Sequence, residues 1–164
     1  MAAAVDTPVV LALDVTDPDV DDVDARVVTD LVPDHGVLIL AVLTPPARAS
    51  LNARLLAWRQ AQRIDRADTL AARLRATASG RGITVSAVSQ VPGTGFSALP
   101  RRVARVLARL CRDRGAGLLV LAAGPDAWLI TECTRRHLRD TAPAGLRIRR
   151  IQDYAWPDAR PMST

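Results

Sequence analysis

Three short apolar runs, unbroken by any polar residue, constrain this chain more than any other feature: Val9-Val10-Leu11-Ala12-Leu13, Val37-Leu38-Ile39-Leu40-Ala41-Val42-Leu43 and Leu118-Leu119-Val120-Leu121. A strand with one wet face alternates apolar and polar residues. These runs do not, so both faces must be covered, as in a parallel sheet flanked by helices. All three are too short to span a bilayer, so no transmembrane segment is expected. Aromatic residues are only 3% against 49% apolar residues in total, so the core has to be aliphatic. A length of 164 residues suits one domain.

Helical segments separate the runs. Asp17-Pro18 reads as a helix start, with Asp at the N-cap and Pro at the first position. Val20, Val23, Val27 and Leu31 then follow at helical spacing. The segment from Ser50 to Ala78 carries Leu51, Leu55, Trp58, Ala67, Leu70, Leu74 and Ala78 along one face and arginines between them. Gly80 and Gly82 end it. Ile83 to Val88 alternates with period two, which predicts a more exposed or edge strand. Ser97 to Arg114 reads as a helix with Val103, Val106, Leu107 and Leu110 on one face. Trp128 to Asp140 reads as a further helix and Leu146 to Ile151 as a last strand. Strands alternating with helices predict an α/β fold. The expected form is a single-domain, Rossmann-like open sheet of about five mostly parallel strands, with helices on both faces. The domain is expected to cover residues 1–152, and residues 153–164 to form a loosely ordered tail.

Charge is unevenly placed. All 22 basic residues are arginine; residues 1–47 carry a net −8 and residues 48–164 a net +13. Such asymmetry suits a polyanionic partner or the association of unlike faces, and equally a set of solvated helix surfaces. The helix 101–114 has enough arginine to attract nucleic acid, but no aromatic residue interleaves with it for base stacking, so nucleic acid is not the expected partner. Two cysteines, Cys111 and Cys133, are too few for a disulfide scaffold and lack metal or redox spacing. Cys111 falls near the apolar face of its helix, and Cys133 near Arg135 and Arg136. The first residues, Met1-Ala2-Ala3-Ala4-Val5-Asp6, have no basic region of the signal-peptide kind, so the expected location is cytoplasmic.

Ligands of open parallel sheets bind beyond the carboxyl ends of the strands. Asp14 ends the first run there, where a carboxylate can contact a base or ribose or instead shape a turn through Asp-Val-Thr-Asp. Pro92-Gly93-Thr94-Gly95-Phe96-Ser97 could bring backbone N–H groups to a phosphate at a helix start, though it lacks the nucleotide-loop patterns. His35 beside Gly36 reads as a turn residue and His137 as helix surface. Neither lies in metal-ligand spacing, and no nucleophile elbow is present. The expectation is therefore a protein that is not an enzyme.

The order of segments resembles the universal stress protein family. Val10-Leu11-Ala12-Leu13-Asp14 stands where that family opens with a strand ending in Asp. Leu40-Ala41-Val42-Leu43 stands at its second strand, and Gly117-Leu118-Leu119-Val120-Leu121-Ala122-Ala123-Gly124 at its fourth. Cys133 to Ile151 resembles its closing helix and strand. The resemblance implies ATP as the candidate cofactor and Asp14, Val42, Gly124 and Thr131 as nucleotide-contacting positions. The departure lies after the fourth strand. ATP-binding members carry G-x2-G-x9-G-[ST]; here Gly124-Pro125-Asp126-Ala127 has Ala at the second glycine position. Only Trp128 and Leu129 precede Ile130-Thr131, so the loop is about seven residues short. Pro125 also removes one backbone donor. The expectation is a degenerate, nucleotide-independent regulatory member, with ATP or AMP binding through a non-standard loop, or polyanion or nucleic-acid binding through the Arg-rich helix 101–114, as the alternatives. The resemblance further implies a homodimer through the last strand, with Leu146, Ile148 and Ile151 at the contact. Arg147, Arg149 and Arg150 there would need acidic partners, and the Asp-rich segment 17–24 is one candidate.

Overall fold

A computed structural model describes residues 7–20, 22–45, 53–92 and 98–155. Five strands form one fully parallel sheet: β1 (Val9–Asp14), β2 (Val37–Leu43), β3 (Thr84–Gln90), β4 (Leu118–Ala122) and β5 (Arg147–Arg150). Their order is β3-β2-β1-β4-β5. Helices α1 (Ala25–Asp30), α2 (Ala53–Ala78), α3 (Leu99–Arg114), α4 (Glu132–Thr141) and α5 (Gln152–Ala155) connect or follow them. The three unbroken apolar runs are the three inner strands, as burial on both faces requires. The alternating segment, β3, is an edge strand.

Period-two alternation divides the inner strands between two cores. Leu11, Leu13, Leu40, Val42 and Val120 face one side, with Leu70 and Leu74 of α2 and Val28 of α1. Val10, Ala12, Ile39, Leu43 and Leu121 face the other, with Val103, Leu107 and Cys111 of α3 and Leu138 of α4. The chain adds β2 and β3 on one side of β1, then β4 and β5 on the other. The reversal leaves a crevice at the carboxyl ends of β1 and β4, where open α/β sheets place ligands.

Two helix starts differ from expectation for one reason. The chain turns through residues 15–24, and α1 begins only at Ala25, with Asp24 as its cap accepting from the Arg26 N–H at 2.9 Å. Asp17 is not a helix cap; its carboxylate accepts from Asp19 N and from Gly124 N. The late start shifts the buried face from Val27 and Leu31 to Val28 and Val32, while Val20 and Val23 stay buried from the turns. Likewise α4 begins at Glu132 and not at Trp128, because the N–H groups of residues 128–130 point to acceptors on the β1 side. The expected loop 93–97 and residues 156–164 of the expected tail lie outside the described residues.

Arginine side chains donate to backbone carbonyls at the loops around α1. From α2, Arg63 donates to Val15 O at 3.3 Å and Thr16 O at 3.2 Å, and Arg66 to Pro18 O at 2.7 Å. Arg81 donates to Thr29 O and Val32 O at the end of α1, and to the Asp34 carboxylate, each at 2.6 Å. One guanidinium fork thus holds two carbonyls where the chain leaves α1, and Thr29 O also accepts from Val32 N at 3.1 Å. Arg81→Met, which keeps most of the stem, should therefore lower stability by about 1–3 kcal/mol in urea unfolding. Arg112→Met on the exposed side of α3 should stay within about 0.5 kcal/mol of wild type. Equal effects would show that Arg81 acts only as a surface charge.

Candidate functional site

The site is built from the loop after β1 and the loop after β4. By strand alternation Asp14 points to the α3–α4 side of the sheet, where it is fully buried. One carboxylate oxygen accepts from Thr16 N at 2.9 Å and Thr16 Oγ1 at 2.6 Å. The other accepts from Leu129 N and Ile130 N, both at 2.9 Å. Thr16 Oγ1 in turn accepts from Trp128 N at 2.9 Å. Asp17, also buried, accepts from Gly124 N at 2.7 Å. A Cβ on Gly124 would lie 3.2 Å from that carboxylate oxygen, so glycine permits the close approach.

Two further loop donors turn inward too. Ala127 N donates to Gly124 O at 3.3 Å and Thr131 N to Thr134 Oγ1 at 3.2 Å. Thr131 and Thr134 form a reciprocal capping box at the start of α4. Buried Thr134 also donates to Leu129 O at 2.6 Å. Thus the N–H groups of Gly124, Ala127, Trp128, Leu129, Ile130 and Thr131 all bond within the chain. Glycine-containing loops before helices present such groups to anions. Here three of the six meet two of the chain's own carboxylates, and the other three meet hydroxyl or carbonyl oxygens.

Burial pushes the Asp14 carboxyl up from its ordinary value of 3.8; the bonds from Thr16, Ile130 and Leu129 pull the other way and offset only part of this. Both oxygens accept only, which is the geometry of the ionised group.

The four positions implied by the family resemblance divide. Asp14 and Gly124 meet at the crevice, bridged by the residue pair Thr16 and Asp17. Thr131 caps α4 immediately beyond. Val42, the Cα neighbour of Leu13, shares the α2 core with Leu13, on the face opposite Asp14. Asp17, Thr16 and Thr134 complete the network, and sequence reading did not single them out as site residues. Their only signal is a polar Asp-x-Thr-Asp run straight after a fully buried strand. Trp128 is 44% exposed. A hollow of about 390 Å³ adjoins the loop, lined among others by Gly124, Pro125, Ile130, Thr131, Arg135 and Arg150.

Other candidates lie elsewhere. His35 occupies an exposed turn with φ 62°, and His137 is half-buried on α4. Among the described residues no group of three or more His, Cys, Asp or Glu could hold a metal. Cys111 is buried in the α3 core, which pushes its thiol up to about 12, while Cys133 is exposed. The arginines at 101, 105, 109 and 112 line the solvent side of α3. No described helix is long and apolar enough to cross a membrane.

No protein-family model and no curated protein matches the sequence. Solved structures do match the fold. A universal stress protein family member from Burkholderia pseudomallei aligns over 90% of this chain and 97% of its own, at 15% identity and TM-score 0.52. Universal stress protein UspA from Lactobacillus plantarum aligns over 90% and 99%, at 11% identity and TM-score 0.55. A universal stress protein from Archaeoglobus fulgidus aligns over 88% and 97%, at 12% identity and TM-score 0.50. The fold is that of the universal stress proteins, with the open α/β sheet expected from the strand pattern.

Asp14→Asn tests the carboxylate at constant shape. The amide nitrogen must face one pair of donors, so stability at neutral pH should fall by about 1–3 kcal/mol. A group whose folded pKa is raised adds stability that is complete below its unfolded value and lost as pH rises through the folded value. The stability gap between wild type and Asp14→Asn should therefore widen as pH falls from neutral toward 3.8. Urea titrations across that range check this; a gap that narrows on acidification would show the four bonds outweighing burial.

Proposed function

We propose that this chain is a universal stress protein-like regulatory domain, acting by association with other proteins, without catalysis and without binding ATP through the loop after β4. One observation carries the reading: Asp14 and Asp17 already accept from Gly124, Leu129 and Ile130, and Thr16 accepts from Trp128. A triphosphate seated there would need the same N–H groups. It would also bring its charge beside two buried carboxylates, and like charges in a poorly solvated site repel strongly. Neither carboxylate can swing into water without leaving the loop donors unpaired and buried, which costs about 1–3 kcal/mol for each group.

The short loop supports the same reading. With Pro125 lacking an N–H and Ala127 in a turn closed on Gly124 O, little free backbone remains to wrap a ligand. The polar groups at the crevice are committed to holding two loops together, not to a substrate.

Calorimetric titration with Mg-ATP tests this directly. The expected result is no saturable heat tighter than about 1 mM, a scale of roughly −4 kcal/mol, and no thermal shift. Saturable binding at tens of micromolar or below would overturn the reading, whichever loop held the phosphates.

A further inference from the structure

A second basic surface is left over once the crevice is accounted for. A groove of about 800 Å³ runs between α4 and β5. Arg135 and Arg139 of α4 and Arg150 of β5 line it on the α4 face of the sheet, with Leu121, Leu146 and Ile148 among its apolar residues; Arg147 and Arg149, in register with Leu118 and Val120 of the opposite core, flank it at the strand edge. Its two acids are engaged locally: Glu132 pairs with Arg135, and Asp153 with Arg150 at 3.5 Å. Among the described residues, no carboxylate pairs with Arg139, Arg147 or Arg149, all of them exposed.

The neighbouring strand edge is partly occupied by the chain's own side chains. Arg147 N and Ile151 N bond inward, to Gly117 O and Leu121 O. The groups of Ile148 and Arg150 therefore face the open edge. Asp153 accepts from Arg150 N at 3.1 Å, and Arg149 donates to Ile148 O at 3.2 Å. A four-residue edge with three arginines, and with side chains on two of its outward backbone groups, resists pairing. A second copy aligned on β5 would also set arginines against arginines, and like charges facing each other across strands destabilise. Leu146 and Ile148 already pack on the α3–α4 core, and Ile151 on the opposite one.

We propose that the groove binds an acidic, partly apolar peptide segment of a partner protein through its guanidinium groups. The proposal rests on the reading that the chain acts by association, and names the surface and the chemistry of the partner. Arginine forks match carboxylates two bonds at a time, and the apolar residues favour leucine-like side chains between the acids. No aromatic residue lines the groove to stack a base, which favours peptide over nucleic acid.

Fluorescence anisotropy with a labelled peptide of alternating Glu and Leu tests it. Micromolar, salt-sensitive binding is expected, weakened at least about tenfold in the combined variant Arg139→Glu, Arg147→Glu, Arg149→Glu. The combined variant Arg101→Glu, Arg105→Glu, Arg109→Glu changes net charge equally on α3 and should retain binding within about threefold. All six positions are exposed, and melting curves verify that both variants fold. No binding, equal loss in both variants, or tighter binding of a single-stranded oligonucleotide would each overturn the proposal. So would sedimentation as a dimer that the groove variant alone dissociates, since the occupant would then be a second copy. ATP titration of the same proteins keeps the two readings apart: ATP binding sinks nucleotide independence without touching the peptide result, and loss of peptide binding leaves the ATP result standing.

Discussion

A carboxylate sealed from water must find all its donors inside the protein, and Asp14 finds them on two loops at once. Thr16 is its near neighbour; Leu129 and Ile130 lie 115 and 116 residues away in sequence. The sheet makes the meeting possible. β1 sits between β2 and β4, so the carboxyl end of β1 is beside the start of the β4 loop. Asp17 repeats the arrangement with Gly124. The positions of both loops, the late start of α4 and the turns before α1 all follow from these bonds. Such a network stabilises only when complete, because each missing donor leaves buried charge unanswered.

Arginine plays the opposite part on the other side of the sheet. The strong negative balance of the first segment reads as a surface seeking a partner. Part of the answer is internal: Arg63 and Arg66 of α2 hold the carbonyls of the loop that carries Asp17 and Asp19. Arg81 does the same for the end of α1 beside Asp30 and Asp34. Guanidinium groups suit this use, since a planar fork reaches several acceptors with little further loss of freedom. Among the described residues, Arg139, Arg147 and Arg149 at the α4–β5 groove pair with no carboxylate.

The strands were legible because burial on both faces leaves an unmistakable run, and β3 because its exposure restores alternation. The helices of α2 and α3 were legible from their apolar faces. The helix starts were not. At Asp17 and Trp128 the local signals favour a helix, but the deciding bonds come from residues more than a hundred positions distant. Asp14 shows the same limit. Its placement at a strand end was readable, and so were its turn-forming neighbours. Which donors it would take depends on strand order, and no local pattern encodes that. Thr134 was hidden for a related reason, since a threonine within a helix looks ordinary until its hydroxyl is seen to bond backward to Leu129 O.

The short loop and the buried acids belong to one arrangement. A loop that wraps a phosphate needs several backbone N–H groups facing outward, and these go unpaired when no anion is present. Backbone donors buried without partners are costly, so a loop that gives up an external anion must acquire an internal one or be rebuilt. In this chain Asp14 and Asp17 stand where they can accept those bonds, and the chain between Gly124 and Thr131 is short enough to be spanned by them. On the reading proposed above, the crevice has become a structural joint. Association then has to fall to surfaces whose charges the fold leaves unpaired, which is the condition of the α4–β5 groove.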